Sequence, residues 1–377
     1  MRSAIVAARN LGIDFTMACN TDNADKDGYE KDCQEYGIKL VHIDFDRNPL
    51  AKKNQLAARQ LLRLVQDGQF DIIHCNTPIG GVLGRICAKK AKVPYVIYQA
   101  HGFHFWKGAP VKNWVVFYPI EKLLARYTDL LITINNEDYQ TASKFKLRGS
   151  GRLVKISGVG VEPHKWILDK EEIQRKKDQL GLLADHKVFI SVGELNENKN
   201  HITAIEAISL LKRSDWVYLI CGDGELLTYL QNKVIELGLT NQIKLLGFRM
   251  DVPELLEISD VFVFPSKREG LSAALMEAME VGLPCIAGKI RGNTDLLPDS
   301  QLLFNPNKAG ELTSCLEKSF DSKLTRLETE YNLENIKNFE FDSIVTALSE
   351  IYHEAERRLN HNGKRDGTPG LSCHPDL

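Results

Sequence analysis

The chain lacks the marks of several protein classes. It carries 8 cysteines but no C-x-x-C pair, which argues against a zinc ribbon or a redox dithiol. Cys19, Cys75, Cys221 and Cys285 sit in apolar runs, where cysteine packs as a small hydrophobe. No apolar stretch approaches the ~20 residues that span a bilayer, and no basic-then-apolar leader opens the chain. A reducing cytosol is the expected setting. With 48 basic against 50 acidic residues there is no global field to gather nucleic acid, and no nucleic-acid partner is expected. No G-x-G-x-x-G follows a strand with a distal ribose-binding acid, which disfavours a dehydrogenase.

What is present is alternation. Apolar segments at Phe15–Ala18, Leu40–Ile43, Ile72–Cys75, Tyr95–Tyr98 and Leu130–Ile134 are separated by helical patterns such as Asn54–Val65 and Gly81–Ala91. After a glycine-rich stretch, Lys155–Val161, the cycle restarts at Val188–Val192, Val217–Cys221, Ile243–Leu246, Val261–Phe264 and Cys285–Ala287. Strands alternating with helices imply an α/β fold with parallel, doubly wound sheets. A chain of 377 residues has room for two or three domains of ~100–200 residues. The expected division is a first Rossmann-like domain over residues 1–157 and a second over 158–340, facing across a cleft. A helix over about 344–359 follows, and a polar tail, 360–377, is expected to be disordered.

The richest segment runs from Asp260 to Gly288, DVFVFPSKREGLSAALMEAMEVGLPCIAG. An apolar run ends at Pro265, a polar turn carries Gly270, and a helical pattern extends from Leu271 to about Val281. Such a turn presents free N–H groups and a positive helix end at the carboxyl edge of a sheet, where anions settle. Glu269 lies on the turn and Glu277 about two helical turns in, so both can face one bound molecule.

This E-x7-E segment resembles the donor site of the retaining, GT-B-fold nucleotide-sugar glycosyltransferases of family 4. Ser191–His201 is similar to the strand-loop-helix that opens their donor domain. Cys221–Gly224 resembles their mid-domain glycine turn, Leu246–Phe248 their strand end beside the base, and Gln99–His104 their acceptor-domain His-Gly loop. The likeness extends over roughly residues 1 to 335 and is nearest to bacterial members that build exopolysaccharide, capsule or lipid-linked glycans.

The resemblance implies transfer of a hexose or N-acetylhexosamine from a nucleoside diphosphate sugar, with UDP the family's guess, to a polysaccharide or lipid-linked acceptor. The N–H groups of Gly270, Leu271 and Ser272 would meet the diphosphate, with Lys199 adding a point charge. Glu277 would hold the ribose. Glu269 would bind sugar hydroxyls and steady positive charge at the anomeric carbon, and His101 would position donor sugar or acceptor. Glu194 stands where the family often has arginine, leaving Arg268 or Arg291 to compensate. Phe248 and Arg249 could meet the base through their backbone or form a plain strand-to-helix turn. Asn293 and Thr294 are open between sugar contacts and helix capping. No D-x-D-like motif stands in the expected place, so neither a metal nor a cofactor is expected.

Two features depart from or extend the pattern. Arg2–Leu11 already reads as the first helix, so the central opening strand of the first domain is absent, which suggests a shortened start or an inactive protein. Gly102–Tyr118 is aromatic with interspersed lysines, and either rests peripherally on the inner membrane face or packs into the core. The competing functions are a UDP-sugar 2-epimerase and a non-catalytic nucleotide-sugar-binding protein.

Overall fold

A computed structural model describes residues 2–22, 33–163 and 168–361. The tail from residue 362 lies outside the described residues. The first domain runs α1 (Arg2–Asn10), β1 (Thr16–Cys19), β2 (Lys39–His42), α2 (Lys53–Gly68), β3 (Ile72–Cys75), α3 (Pro78–Ala91) and β4 (Tyr95–Ala100). It continues with α4 (Val111–Leu124), β5 (Leu130–Thr133), α5 (Asn136–Ala142) and β6 (Arg152–Lys155). The second contains α6 (Lys170–Gln179), β7 (Lys187–Val192), α7 (His201–Ile208), β8 (Trp216–Cys221), α8 (Leu227–Glu236), β9 (Ile243–Gly247) and α9 (Val252–Glu257). It is completed by β10 (Val261–Phe264), α10 (Ala273–Glu280), β11 (Cys285–Gly288), α11 (Asn293–Leu296), β12 (Leu303–Phe304), α12 (Ala309–Lys318) and α13 (Ser322–Ile336). A long final helix, α14 (Phe341–His361), closes the described chain.

The second domain is one six-stranded parallel sheet in the order β12-β11-β10-β7-β8-β9. Helices cover both faces, which is why its strands read as unbroken apolar runs. Along β10, Phe262 and Phe264 enter the core on one face while Val261 and Val263 enter the core on the other. The strand period of two thus feeds both layers from four residues.

The first domain departs from a continuous sheet. β3-β4-β5-β6 form one parallel sheet, and β1-β2 pair separately. Among the described residues, β1 and β3 each have a ladder partner on one side only. The break falls between β1 and β3, where the sequence pattern leads one to expect a central strand. Helix α1 occupies the sequence read as the first helix, and it packs on α14. Ala4, Ala7 and Ala8 of α1 share a core with Ile344, Leu348, Ile351, Tyr352 and Ala355 of α14, and with Tyr95, Ile97, Leu130 and Ile132 of β4 and β5. The alanines allow close approach, and the α14 residues recur at the helical period.

The two passages of chain between the domains run side by side. Val161 N–H donates to the Phe339 carbonyl at 3.0 Å, and Phe341 N–H donates to the Val161 carbonyl at 2.8 Å. Gly158 and Gly160, both at φ +87°, turn the chain into this crossing from β6.

Candidate active site

Strand order reverses at β7: β8 and β9 extend to one side, and β10 returns to the other. Loops leaving the carboxyl ends of β7 and β10 therefore diverge and leave a crevice. The loop after β7 carries Lys199, and the loop after β10 carries Glu269. Two asparagines stitch them together. Asn198 Nδ2 donates to the Arg268 carbonyl at 2.9 Å, and the Asn198 carbonyl accepts from Lys267 N–H at 2.8 Å. Asn200, in the left-handed region at φ +59°, donates from Nδ2 to the Pro265 and Pro306 carbonyls at 3.1 and 3.2 Å.

This bracing sets Lys199 Nζ 2.9 Å from Glu269 Oε1, half-buried and above the Phe264 ring. Helix α10 starts at Ala273, two residues later than the sequence pattern suggests, because Ser272 caps it: its Oγ accepts from Leu275 N–H at 3.4 Å. Gly270, Leu271 and Ser272 thus form the approach to the helix. Among the described residues, none of their three N–H groups has a hydrogen-bond acceptor in the protein. Three free donors, a positive helix end and an ammonium group converge on one side of the crevice. The Leu271 side chain packs with the cores of both domains.

The opposite wall comes from the first domain. His101 follows β4, and Asn76 follows β3, the adjacent strand. The His101 ring lies 3.0 Å from Asn76 through Nε2 and Oδ1. Cleft walls crowd this histidine and lower its pKa to about 4, although its outer edge stays open to solvent, so it is neutral at pH 7. With Nε2–H donating to Asn76, Nδ1 is left as an acceptor. Backbone meets backbone beside it: a Cβ at Gly270 would stand 2.1 Å from the His101 carbonyl oxygen, and one at Gly102 would stand 3.2 Å from Gly270 Cα. Only glycine at 270 permits that approach.

Arg291, after β11, fixes the two walls to each other. Its Nη1 meets Asp138 Oδ1 of α5 at 2.7 Å, with both side chains almost fully buried. Nη2 donates to the Phe103 carbonyl at 2.8 Å, and Nε donates to the Glu269 carbonyl at 3.1 Å. Asp138 also accepts from Phe103 N–H at 3.1 Å and from Asn135 Nδ2 at 2.8 Å. One guanidinium therefore holds the carbonyl of the His101 loop and that of the Glu269 loop. Arg291 is committed to this contact and is not a spare phosphate ligand. Nothing local in the sequence marks the pair, although Asn135-x-x-Asp138 is legible as a helix cap.

Other anticipated residues fall in different settings. Glu277 is exposed on α10, with its pKa raised by the crowding around it. Phe248 is 75% exposed beyond β9, and the Arg249 guanidinium is engaged with Asp251 at 2.7 Å, which leaves the Phe248 ring and backbone groups there for a base. Asn293 is wholly buried and donates to the Gly288 carbonyl at 3.0 Å, while the position capping α11 is Gly292. Thr294 is half-buried on α11. Glu194 is exposed and accepts from Asn196 Nδ2 at 2.9 Å. Within Gly102–Tyr118, Phe103 and Phe105 are buried and stacked at 4.8 Å. The apolar groups open to solvent are instead on α4. Among the described residues, Asp22, His42 and Asp44 are grouped as potential metal donors at the ends of β1 and β2, with Lys53 3.6 Å from Asp22. No helix of the described residues is long and apolar enough to cross a membrane.

Removing one partner of a buried ion pair strands the other, at about 3–5 kcal/mol. Arg291→Met and Asp138→Leu should each lower the unfolding free energy by that order, while the double variant recovers part of the loss. Denaturant titrations that give small, additive losses would contradict the clamp. A second expectation concerns acid. His201 at the start of α7 is buried, and its pKa is lowered to about 4 from 6.5, chiefly by burial. The folded state resists protonation while the unfolded chain takes a proton near 6.5, so stability is lost as pH falls from about 6.5 to about 4. His201→Gln should flatten the fall in melting temperature across that window, and an unchanged slope would exclude this histidine as a contributor.

The family described as Glycosyl transferase 4-like matches residues 1–135, and Glycosyl transferases group 1 matches residues 172–335. The chain is 39% identical over 271 residues to EpsD of Bacillus subtilis (strain 168), named as a glycosyltransferase, covering 71% of each chain. It is 31% identical over 315 residues to an Escherichia coli UDP-Gal:alpha-D-GlcNAc-diphosphoundecaprenol alpha-1,3-galactosyltransferase, covering 81% of each. The crystal structure of Anabaena HepE in complex with UDP and glucose superposes with a TM-score of 0.76 at 20% identity, over 94% of this chain and 95% of that one. Two Rossmann-like domains, a switch-point crevice and these relatives agree: the chain belongs to the GT-B glycosyltransferases of the bacterial polysaccharide type.

Proposed function

We propose that this glycosyltransferase is a retaining hexosyltransferase. It moves a hexose or N-acetylhexosamine from a UDP-sugar to a lipid-linked glycan held at a membrane surface. The observation that carries this reading is the convergence of Lys199 and the free N–H groups of Gly270, Leu271 and Ser272 at one helix start. A departing nucleoside diphosphate needs such fixed positive potential, and one pre-aligned donor is worth ~3–4 kcal/mol of barrier. The Lys199 ammonium rests on Glu269. A diphosphate would draw it away and free Glu269 for sugar hydroxyls and the anomeric carbon.

The bond from the anomeric carbon to the phosphate oxygen breaks, and a bond to the acceptor oxygen forms on the same face. The acceptor's proton passes to the leaving phosphate oxygen, so no separate base is required. His101, neutral and oriented by Asn76, positions sugar or acceptor rather than moving a proton. Lys199 and the N–H groups supply the countercharge to the diphosphate, so the reaction is expected to need no resident metal. UDP is favoured by the nucleotide in the HepE complex and in the donor that names the galactosyltransferase relative. That relative's acceptor is a diphosphoundecaprenol-linked sugar, which favours an acceptor of the same class.

UDP-, GDP- and ADP-sugars screened by thermal shift should give stabilisation with UDP alone, lost in Glu277→Ala; ligand at 100-fold its Kd contributes about 2.7 kcal/mol. Lys199→Ala should lower kcat by about 100- to 1,000-fold. The product's anomeric configuration, read by nuclear magnetic resonance, should match the donor's. A sugar converted without any acceptor would point to a 2-epimerase, and inversion would overturn the retaining mechanism.

A further inference from the structure

Neighbouring residues on the β10 loop send their charges opposite ways. The Glu269 carboxylate turns inward to Lys199. The Arg268 guanidinium turns outward, exposed, and lies 5.1 Å from the centre of the Trp106 ring on the first domain. Among the described residues, the side chains of Arg268, Lys267 and Lys107 form no ion pair, and the Glu137 carboxylate beside them accepts from Lys107 N–H at 2.6 Å. His104 stands close by. Burial first, then Arg268 and Arg291, lower its pKa, so it meets a ligand as a neutral ring.

From Trp106 the surface continues onto α4. Trp114 Nε1 donates to the Trp106 carbonyl at 3.2 Å, and Asn113 Nδ2 donates to the His104 carbonyl at 2.8 Å. Beyond Trp114 the helix presents Val111, Val115, Val116, Ile120 and Leu123 to solvent, with Val111 78% and Val115 67% exposed. By helical position Lys112 and Lys122 stand among these side chains on the same exposed face. A continuous path thus leads from the reaction crevice, past an unpaired guanidinium backed by an indole, to an apolar helix face. Singly scattered exposed hydrophobics are ordinary, but six on one helix beside unpaired cations are not.

The geometry points to an acceptor-diphosphate site formed by Arg268, His104 and Trp106, with the acceptor's apolar tail leaving over α4. The site rests on the glycosyltransferase reading above and gives its acceptor a location. Arg268 is a planar fork matched to phosphate oxygens, and its partner anion belongs to the acceptor because the donor's diphosphate occupies the Gly270–Ser272 side. The cation rim suits the headgroup, and the exposed apolar side chains from Val111 to Leu123 suit a hydrocarbon chain.

The test fills the donor side first. With UDP saturating, undecyl diphosphate is titrated into the parent, Arg268→Ala and Arg268→Lys. Arg268→Ala should weaken binding by about 10- to 100-fold, and Arg268→Lys should recover part of that. Val115→Asp should weaken undecyl diphosphate but leave inorganic pyrophosphate unchanged, which separates tail from headgroup. Equal affinity in Arg268→Ala and the parent overturns the site. Loss of undecyl diphosphate and pyrophosphate together in Val115→Asp removes the tail path. Failure of the parent to bind UDP at all would instead remove the underlying donor reading.

Discussion

A single guanidinium ties together the two walls of the crevice between the domains. Arg291 leaves the second domain and ends inside the first, against Asp138, where almost no water reaches. Burying that pair is costly unless every donor and lone pair is satisfied, and here they are shared with the Phe103 and Glu269 carbonyls and with Asn135. The pair spends its hydrogen bonds on the two loops that carry His101 and Glu269. Remove it and both loops lose a common anchor.

With the two walls tied, the remaining chemistry is electrostatic. The crevice holds a positive helix approach, one ammonium and one carboxylate, and the last two form an ion pair. Such an arrangement avoids an unpaired buried charge, and on the function proposed above a diphosphate would take the place of Glu269 beside Lys199. The glycines at 102, 270 and 292 allow the loops to meet backbone to backbone; a Cβ at Gly292 would stand 2.4 Å from the Gly270 carbonyl oxygen. The first domain supplies neutral groups, His101 and Asn76, which suit hydroxyl recognition more than charge stabilisation.

Much of this was legible in the residues. The segment from Asp260 to Gly288 declares strand, turn and helix because a continuous apolar run is punctuated by proline and glycine, and Lys199 is marked by its loop. Two strands were missed for physical reasons. β6, Arg152–Lys155, is an edge strand with charged, exposed ends, and β12 is two residues long, so neither carries an apolar run of ordinary strand length. The start of α10 moved from Leu271 to Ala273 because a serine cap outranks the apolar pattern. The Arg291–Asp138 pair joins residues 153 apart in the chain, which no local period reports. That Arg2–Leu11 reads as helix rather than strand was legible, and the described residues of the first domain divide into separate sheets between β1 and β3.

The most direct test is a structure of the protein with bound UDP. The diphosphate should lie on the N–H groups of Gly270, Leu271 and Ser272, with Lys199 turned from Glu269 toward phosphate oxygen and Glu277 on the ribose hydroxyls. A nucleotide found elsewhere, or bound while Glu269 and Glu277 both face open solvent, would contradict the account.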